Sequence, residues 1–172
     1  QRPFHALAAA FIPLLDDDLS ETDYLIETNK LAEALVRQDV SVQDIVERAL
    51  QKRAPTDRLL LIADQFEELY TLCPDPALRH HFLNTLLEFV FSQQFRRAPI
   101  FTVVLTLRAD FLGQALAHRP TADAIQDSDV KLGPMTRPEL SRAVINPAQN
   151  QGASFEAGLV ARILDDVGDE PG

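Results

Sequence analysis

Asp64, Glu67 and Glu68 sit in LLLIADQFEEL (residues 59–69), and Arg108 sits near the end of a second apolar run, IFTVVLTLRADF (100–111). Magnesium takes oxygen ligands and keeps several waters, so a single carboxylate at a strand end can position it, and Asp64 is placed to do so. An attacking water needs a second carboxylate beyond the metal to orient or deprotonate it. Glu67 or Glu68 follows within one helical turn, and adjacent helical side chains project about 100 degrees apart, so one of the two faces such a site. Charge developing on a transferred phosphoryl group calls for a fixed cation, which Arg108 would supply. Two apolar strands with charge only at their C-terminal ends describe the ligand-facing edge of a parallel α/β sheet.

The same residues have a plainer use. An Asp after a strand commonly caps a helix, and Glu in a first turn favours the helix dipole. Asp110 reads as a helix N-cap in this way. His80 and His81 are adjacent, point to different sides of a helix and make a poor chelating pair. His5 and His118 have no partner at metal-ligand spacing, and the single cysteine, Cys73, leaves no zinc site to argue. Lys131 and Arg137 flank Gly133-Pro134 and read as surface charge. No glycine precedes Gly113, so no glycine-rich loop accompanies the first strand.

These side chains need a framework, and the sequence supplies one. Residues 4–15 read as an apolar helix entered by Pro3 and kinked or ended by Pro13. Ser20 with Asp23 opens a helix to about Arg37, and Ser41 with Asp44 opens another over 42–53. Residues 54–57 form a loop before a buried strand at 58–63. A short helix through Phe66, Leu69 and Tyr70 breaks at Cys73-Pro74, and a long one covers about 77–95. Pro99 introduces the strand 100–107, which makes strand–helix–strand a right-handed crossover. A helix at 110–118 follows, then a short third strand, Val130-Lys131-Leu132. From Thr136 the character turns helical: a capping box with Glu139 opens a helix that bends or stops at Pro147, and Phe155–Val167 forms another closed by Gly168.

With 172 residues and 46% apolar composition the chain can bury a real core. Its net charge of −10 argues against nucleic acid or an anionic membrane as partner, since both need a basic face. No apolar run reaches membrane-spanning length and no secretory or basic amphipathic leader is present, so a cytoplasmic location is expected. The chain starts on Gln1 without an initiating Met and reads as part of something longer.

The strings LLLIADQFEEL, VVLTLRADFL, DVKLGPMTRPEL and FEAGLVARILDDVGDEPG, in that order, resemble the novel STAND branch of P-loop NTPases. These are signal-transduction ATPases related to the NACHT and AP-ATPase groups, often fused in bacteria to WD-repeat propellers. The opening RPFHALAAAF is similar to the segment after the phosphate-binding helix in that family. The resemblance implies an α/β fold: a partial P-loop NTPase-type parallel sheet flanked by helices over residues 1–135, then the start of a helical lid over 136–172. It makes Asp64 the Walker B residue that holds Mg2+ through water, Glu67 or Glu68 the acid that activates water, and Arg108 the sensor of the γ-phosphate. LGPMTRPEL would lead from sheet to lid. The implied cofactors are Mg2+ and ATP in the intact parent domain. The implied partners are ATP, other domains of the same chain such as a WD-repeat propeller, and further copies that assemble on activation.

One departure is large. The family's G-x-x-x-x-G-K-[ST] loop, whose amides and Lys hold phosphate, does not occur; the glycines lie at 113, 133, 152, 158, 168 and 172. The first strand and phosphate-binding helix are then expected upstream of Gln1, and the lid is expected to continue past Gly172. The expectation is a fragment of an ATP-dependent molecular switch, inactive alone for want of the loop. The alternative is a non-catalytic interaction module with a degenerate nucleotide site. A two-metal hydrolase fits less well, because no further carboxylate or His cluster is available.

Overall fold

In the computed structural model, which describes residues 2–93 and 98–167, helix α1 (Pro3–Leu15) opens on Pro3, where a missing N–H has no consequence. Pro13 lies inside its last turn and withholds the N–H that would serve the Ala9 carbonyl. Tyr24, on α2 (Glu21–Arg37), donates its hydroxyl to that carbonyl at 3.0 Å, so the gap left by proline joins the two helices. Ser20 caps α2 by accepting the Asp23 N–H at 3.2 Å. Helix α3 (Val42–Lys52) has the full reciprocal box: Ser41 Oγ accepts the Asp44 N–H and Asp44 Oδ2 accepts the Ser41 N–H, both at 3.1 Å. Val42, Ile45, Val46 and Ala49 are its buried stripe.

Removing the box should be measurable. Ser41→Ala is expected to cost about 1 kcal/mol in urea denaturation. Hydrogen bonds from the Ser41 hydroxyl, then its backbone, hold the Asp44 carboxyl below its ordinary pKa. A depressed folded pKa means that this stabilisation is complete above the unfolded value and is lost as pH falls through the folded one. The gap between wild type and Ser41→Ala should therefore narrow in acid, and equal stability at neutral pH would show that the box contributes nothing.

Strand β1 (Leu59–Ala63) pairs in parallel with β2 (Phe101–Leu105), in register from Leu59↔Phe101 to Ala63↔Leu105. The crossover runs through α4 (Glu68–Leu72) and α5 (Pro76–Ser92). Leu59, Leu61, Ala63, Phe101, Val103 and Leu105 turn one sheet face toward a core of Phe82, Leu86 and Phe89 from α5 with Phe4, Phe11, Leu35 and Val46 from α1–α3. The strands are not buried on both faces, as their uniform apolar composition predicts. Leu60 and Ile62 are 57% and 62% exposed and Val104 is exposed beside them, because the described helices cover a single face. Residues 94 and 95, assigned from sequence to the long helix, lie outside the described residues.

After β2 the chain departs from the expected single helix at 110–118. A 3-10 turn (Ala109–Phe111) leads into α6 (Leu112–Leu116) and a separate α7 (Arg119–Ile125). Pro120 sits in the first turn of α7, where its missing N–H has no carbonyl within that helix to serve. Asp110 is not an N-cap. It lies within the 3-10 turn, with its carboxylate on Arg108.

The chain divides into two compact units, Gln1–Ser128 and Asp129–Gly172. In the second, Thr136 and Glu139 form the expected box at the start of α8 (Arg137–Asn150), with the Thr136 N–H and hydroxyl each 2.8 Å from Glu139 Oε2. The helix continues past Pro147 to Asn150, since one missing donor near its end leaves the other bonds intact. Helix α9 (Leu159–Val167) packs against α8 and is tied to it by an Arg137–Asp165 ion pair. It begins later than Phe155 because Gly158, at φ 83°, cannot be helical. The proposed closure at Gly168 lies outside the described residues. Val130-Lys131-Leu132 is not a strand: among the described residues of its unit no backbone pairs with it, and Val130 and Leu132 are 85% and 91% exposed. Among the described residues the sheet has two strands, the fold is mixed α/β and mostly helical, and no helix is long and apolar enough to cross a membrane.

Candidate functional site

The parallel register brings the ends of both strands together. Hydrogen bonds continue beyond the sheet, from the Thr106 N–H to the Ala63 carbonyl at 3.0 Å and from the Phe66 N–H to the Thr106 carbonyl at 2.9 Å. Asp64 therefore lies opposite Thr106, and the Thr106 hydroxyl donates to Asp64 Oδ1. The Gln65 N–H is shared between Asp64 Oδ1 at 3.1 Å and Thr106 Oγ1 at 2.9 Å. Gln65 is left-handed, at φ 53°, which turns the chain from β1 toward α4. Asp64 is not a side-chain cap of α4; the N-cap position is Glu67, without a side-chain cap bond.

Glu67 and Glu68 diverge, as helical geometry requires. Glu67 Oε2 accepts a long hydrogen bond, 3.4 Å, from the Arg108 backbone N–H, which places it at the strand ends. Glu68 begins α4 and makes no such contact among the described residues. The Arg108 guanidinium is held in a fork by Asp110, Nε to Oδ1 at 3.1 Å and Nη2 to Oδ2 at 2.9 Å, with its side chain 68% exposed. The Asp110 carboxylate, with Glu67 adding to it, raises the Arg108 pKa, and the Arg108 hydrogen bonds lower that of Asp110. The structure thus gathers Asp64, Glu67, Thr106, Arg108 and Asp110 on one open edge.

The donor set suits a hard cation held through its water shell. Asp64 Oδ1 is engaged, while no described residue bonds Oδ2, and the carboxylate is exposed. Among the described residues no group of three or more His, Cys, Asp or Glu is placed to hold a metal ion by itself. Two cavities lie elsewhere: one of about 330 Å3 beside Ser41 and Glu88, and an apolar one of about 380 Å3 beside Phe4 and Val36.

Other candidates separate. Lys131 pairs with Asp129 and Arg137 with Asp165, both away from the strand ends in sequence and each within the second unit. His81 bonds the Val36 carbonyl at 2.9 Å and packs on Phe4. His80 and His118, distant in sequence, stack with ring centroids 5.0 Å apart. Sequence reasoning missed Thr106 and Asp110 as partners of the charged residues. An i, i+2 Arg–Asp pair and a hydroxyl opposite the strand-end Asp were the available signals.

No curated protein and no solved structure matches the chain. A family model does, that of novel STAND NTPase 1, and it covers residues 1–172. With its whole length matched, the chain belongs to the novel STAND NTPase 1 family.

Proposed function

We propose that the strand-end edge is the acidic half of a Mg-ATP site, and that the chain is part of a P-loop-type ATPase used as a molecular switch. The observation that carries this reading is the arrival of Asp64, Glu67 and Arg108 together at the C-terminal ends of two parallel strands, where open α/β sheets bind ligands. Asp64 would hold Mg2+ through water, and the ion would offset phosphate charge when bound. Thr106 and the Gln65 N–H fix that carboxylate from behind. Glu67, facing the edge, is the better placed acid to orient a water, and Glu68 the weaker candidate. Arg108 would leave Asp110 for phosphate oxygens, a fork that matches either acceptor. The phosphate-cradling loop would come from residues outside this sequence. We place the passage from core to helical lid at 135–136, and take attached domains such as a propeller, and assembly of copies on activation, as the output.

A second reading has an observation of its own: with Leu60, Ile62 and Val104 exposed and Arg108 already neutralised, the sheet could serve as a non-catalytic docking module. Calorimetry separates the two. Mg-ATP is titrated into a chain extended upstream through any preceding strand and glycine-rich loop, with the 172-residue chain beside it. Binding by the longer chain alone is the expected result. No binding by either, with no rise in Tm on adding nucleotide, would favour the docking module.

A further inference from the structure

His118 stands at a joint. Its backbone N–H reaches the Ala115 carbonyl of α6 at 3.4 Å, and its carbonyl accepts the Ala122 N–H of α7 at 3.0 Å. The residue is 9% exposed, and its ring lies against α5, stacked on His80 at 5.0 Å between centroids with 24° between planes. Nδ1 is 2.8 Å from the hydroxyl of Thr121, itself buried. The packing of α7 on α5 thus passes through two imidazoles, one buried and one exposed.

We propose that His80 and His118 form a proton-operated latch that docks α7 on α5 when both rings are neutral and releases it when both are charged. Neutral imidazoles stack without electrostatic cost. Two imidazolium rings at this separation repel, and the inner one would carry charge out of water. The Thr121 bond does not oppose protonation, because the hydroxyl can donate to neutral Nδ1 or accept from Nδ1–H. Among the described residues of α5, α6 and α7, no acidic group pairs with either ring. Helix α6 (LGQAL) has no titratable residue. On α7, Arg119 and Asp123 pair with each other at 2.7 Å. On α5, Arg79 is turned to the Cys73 carbonyl, His81 to Val36, and Glu88 lines the cavity beside Ser41. Burial first and His80 second lower the His118 pKa, the direction such a latch requires.

The sign follows from linkage. A depressed folded pKa leaves docking fully stabilised above the ordinary imidazole pKa of about 6.5 and weakens it as pH falls from there through the folded value. The release would act on the segment after β2, since α6 follows directly on the 3-10 turn that carries Asp110, the partner of Arg108. This inference does not depend on nucleotide binding.

The test is amide hydrogen exchange of the 172-residue chain between about pH 7.5 and about pH 5, corrected for intrinsic rates, with imidazole titrations by NMR. Protection in α6 and α7 should fall, by about tenfold for each pKa unit of depression at His118, while α2 is unaffected. His80→Phe keeps a stacking ring and removes its charge, so the fall should shrink and His118 should titrate at higher pH. Protection of α7 that does not change with pH, or an equal fall in His80→Phe, would overturn the latch.

Discussion

Asp64→Ala, introduced into the upstream-extended chain, should weaken Mg-ATP binding about ten- to hundredfold, the worth of a charge-assisted interaction of roughly 1.5–3 kcal/mol. The fold should barely notice. Asp64 is exposed, and the two groups that lean on it, the Thr106 hydroxyl and the Gln65 N–H, also bond each other at 2.9 Å. A stability change within about 0.5 kcal/mol is therefore expected. Asp64→Asn keeps an acceptor for the Gln65 N–H and removes only the charge, so it should bind as poorly as Ala if the carboxylate acts on a cation. Glu67→Gln should bind Mg-ATP and lose hydrolysis, whereas Glu68→Gln should retain both. Unchanged affinity in Asp64→Ala would reduce Asp64 to a turn residue and remove the main support for a nucleotide site here.

The elements that carry this edge were legible where the signal was local. Capping at Ser20, Ser41 and Thr136 is written in residues three apart, and all three boundaries appear where those spacings put them. Parallel β1 and β2, with charge after each, follow from two apolar runs joined by a long crossover. What failed depended on partners that sequence does not locate. Val130-Lys131-Leu132 has strand composition and no strand, because a strand is made by its neighbour's backbone. Leu60 and Ile62 have core composition and lie exposed, since periodicity cannot count how many faces the rest of the chain covers. Asp110 looked like a cap because its partner, Arg108, was assigned elsewhere. His80 and His118 meet only in three dimensions, as do Tyr24 and the Ala9 carbonyl freed by Pro13.

The least legible residue should have one of the largest effects on stability. Gln93 follows the last turn of α5 and is 3% exposed, an unusual place for an amide. Among the described residues β2 has β1 as its one strand neighbour, and Gln93 meets the start of β2 with its side chain. Gln93 Oε1 accepts the N–H groups of Ile100 at 2.8 Å and Phe101 at 3.1 Å, and Nε2 donates to the carbonyls of Phe89 at 3.2 Å and Phe101 at 3.4 Å. One side chain thus fixes the end of α5 to the start of β2, beside the stacked rings of Phe89 and Phe101. Gln93→Leu fills similar space and leaves two N–H donors and a buried carbonyl unpaired. At about 1–3 kcal/mol for each orphaned group, partly relieved by water at the half-buried Ile100, a loss of roughly 3–5 kcal/mol is expected in urea denaturation. That is a large share of the roughly 5–15 kcal/mol that holds a domain together. Gln93→Glu keeps the two acceptor bonds and loses the donors, so at neutral pH it should also be strongly destabilised, through a buried carboxylate facing carbonyls. Lowering the pH protonates that carboxylate and restores a donor, so Gln93→Glu should recover stability in acid while Gln93→Leu does not. A Gln93→Leu variant as stable as wild type would show that water satisfies these groups, and that the register of β2, and with it the position of Arg108 against Asp64, is set by the Phe89–Phe101 stack and the β1 pairing alone.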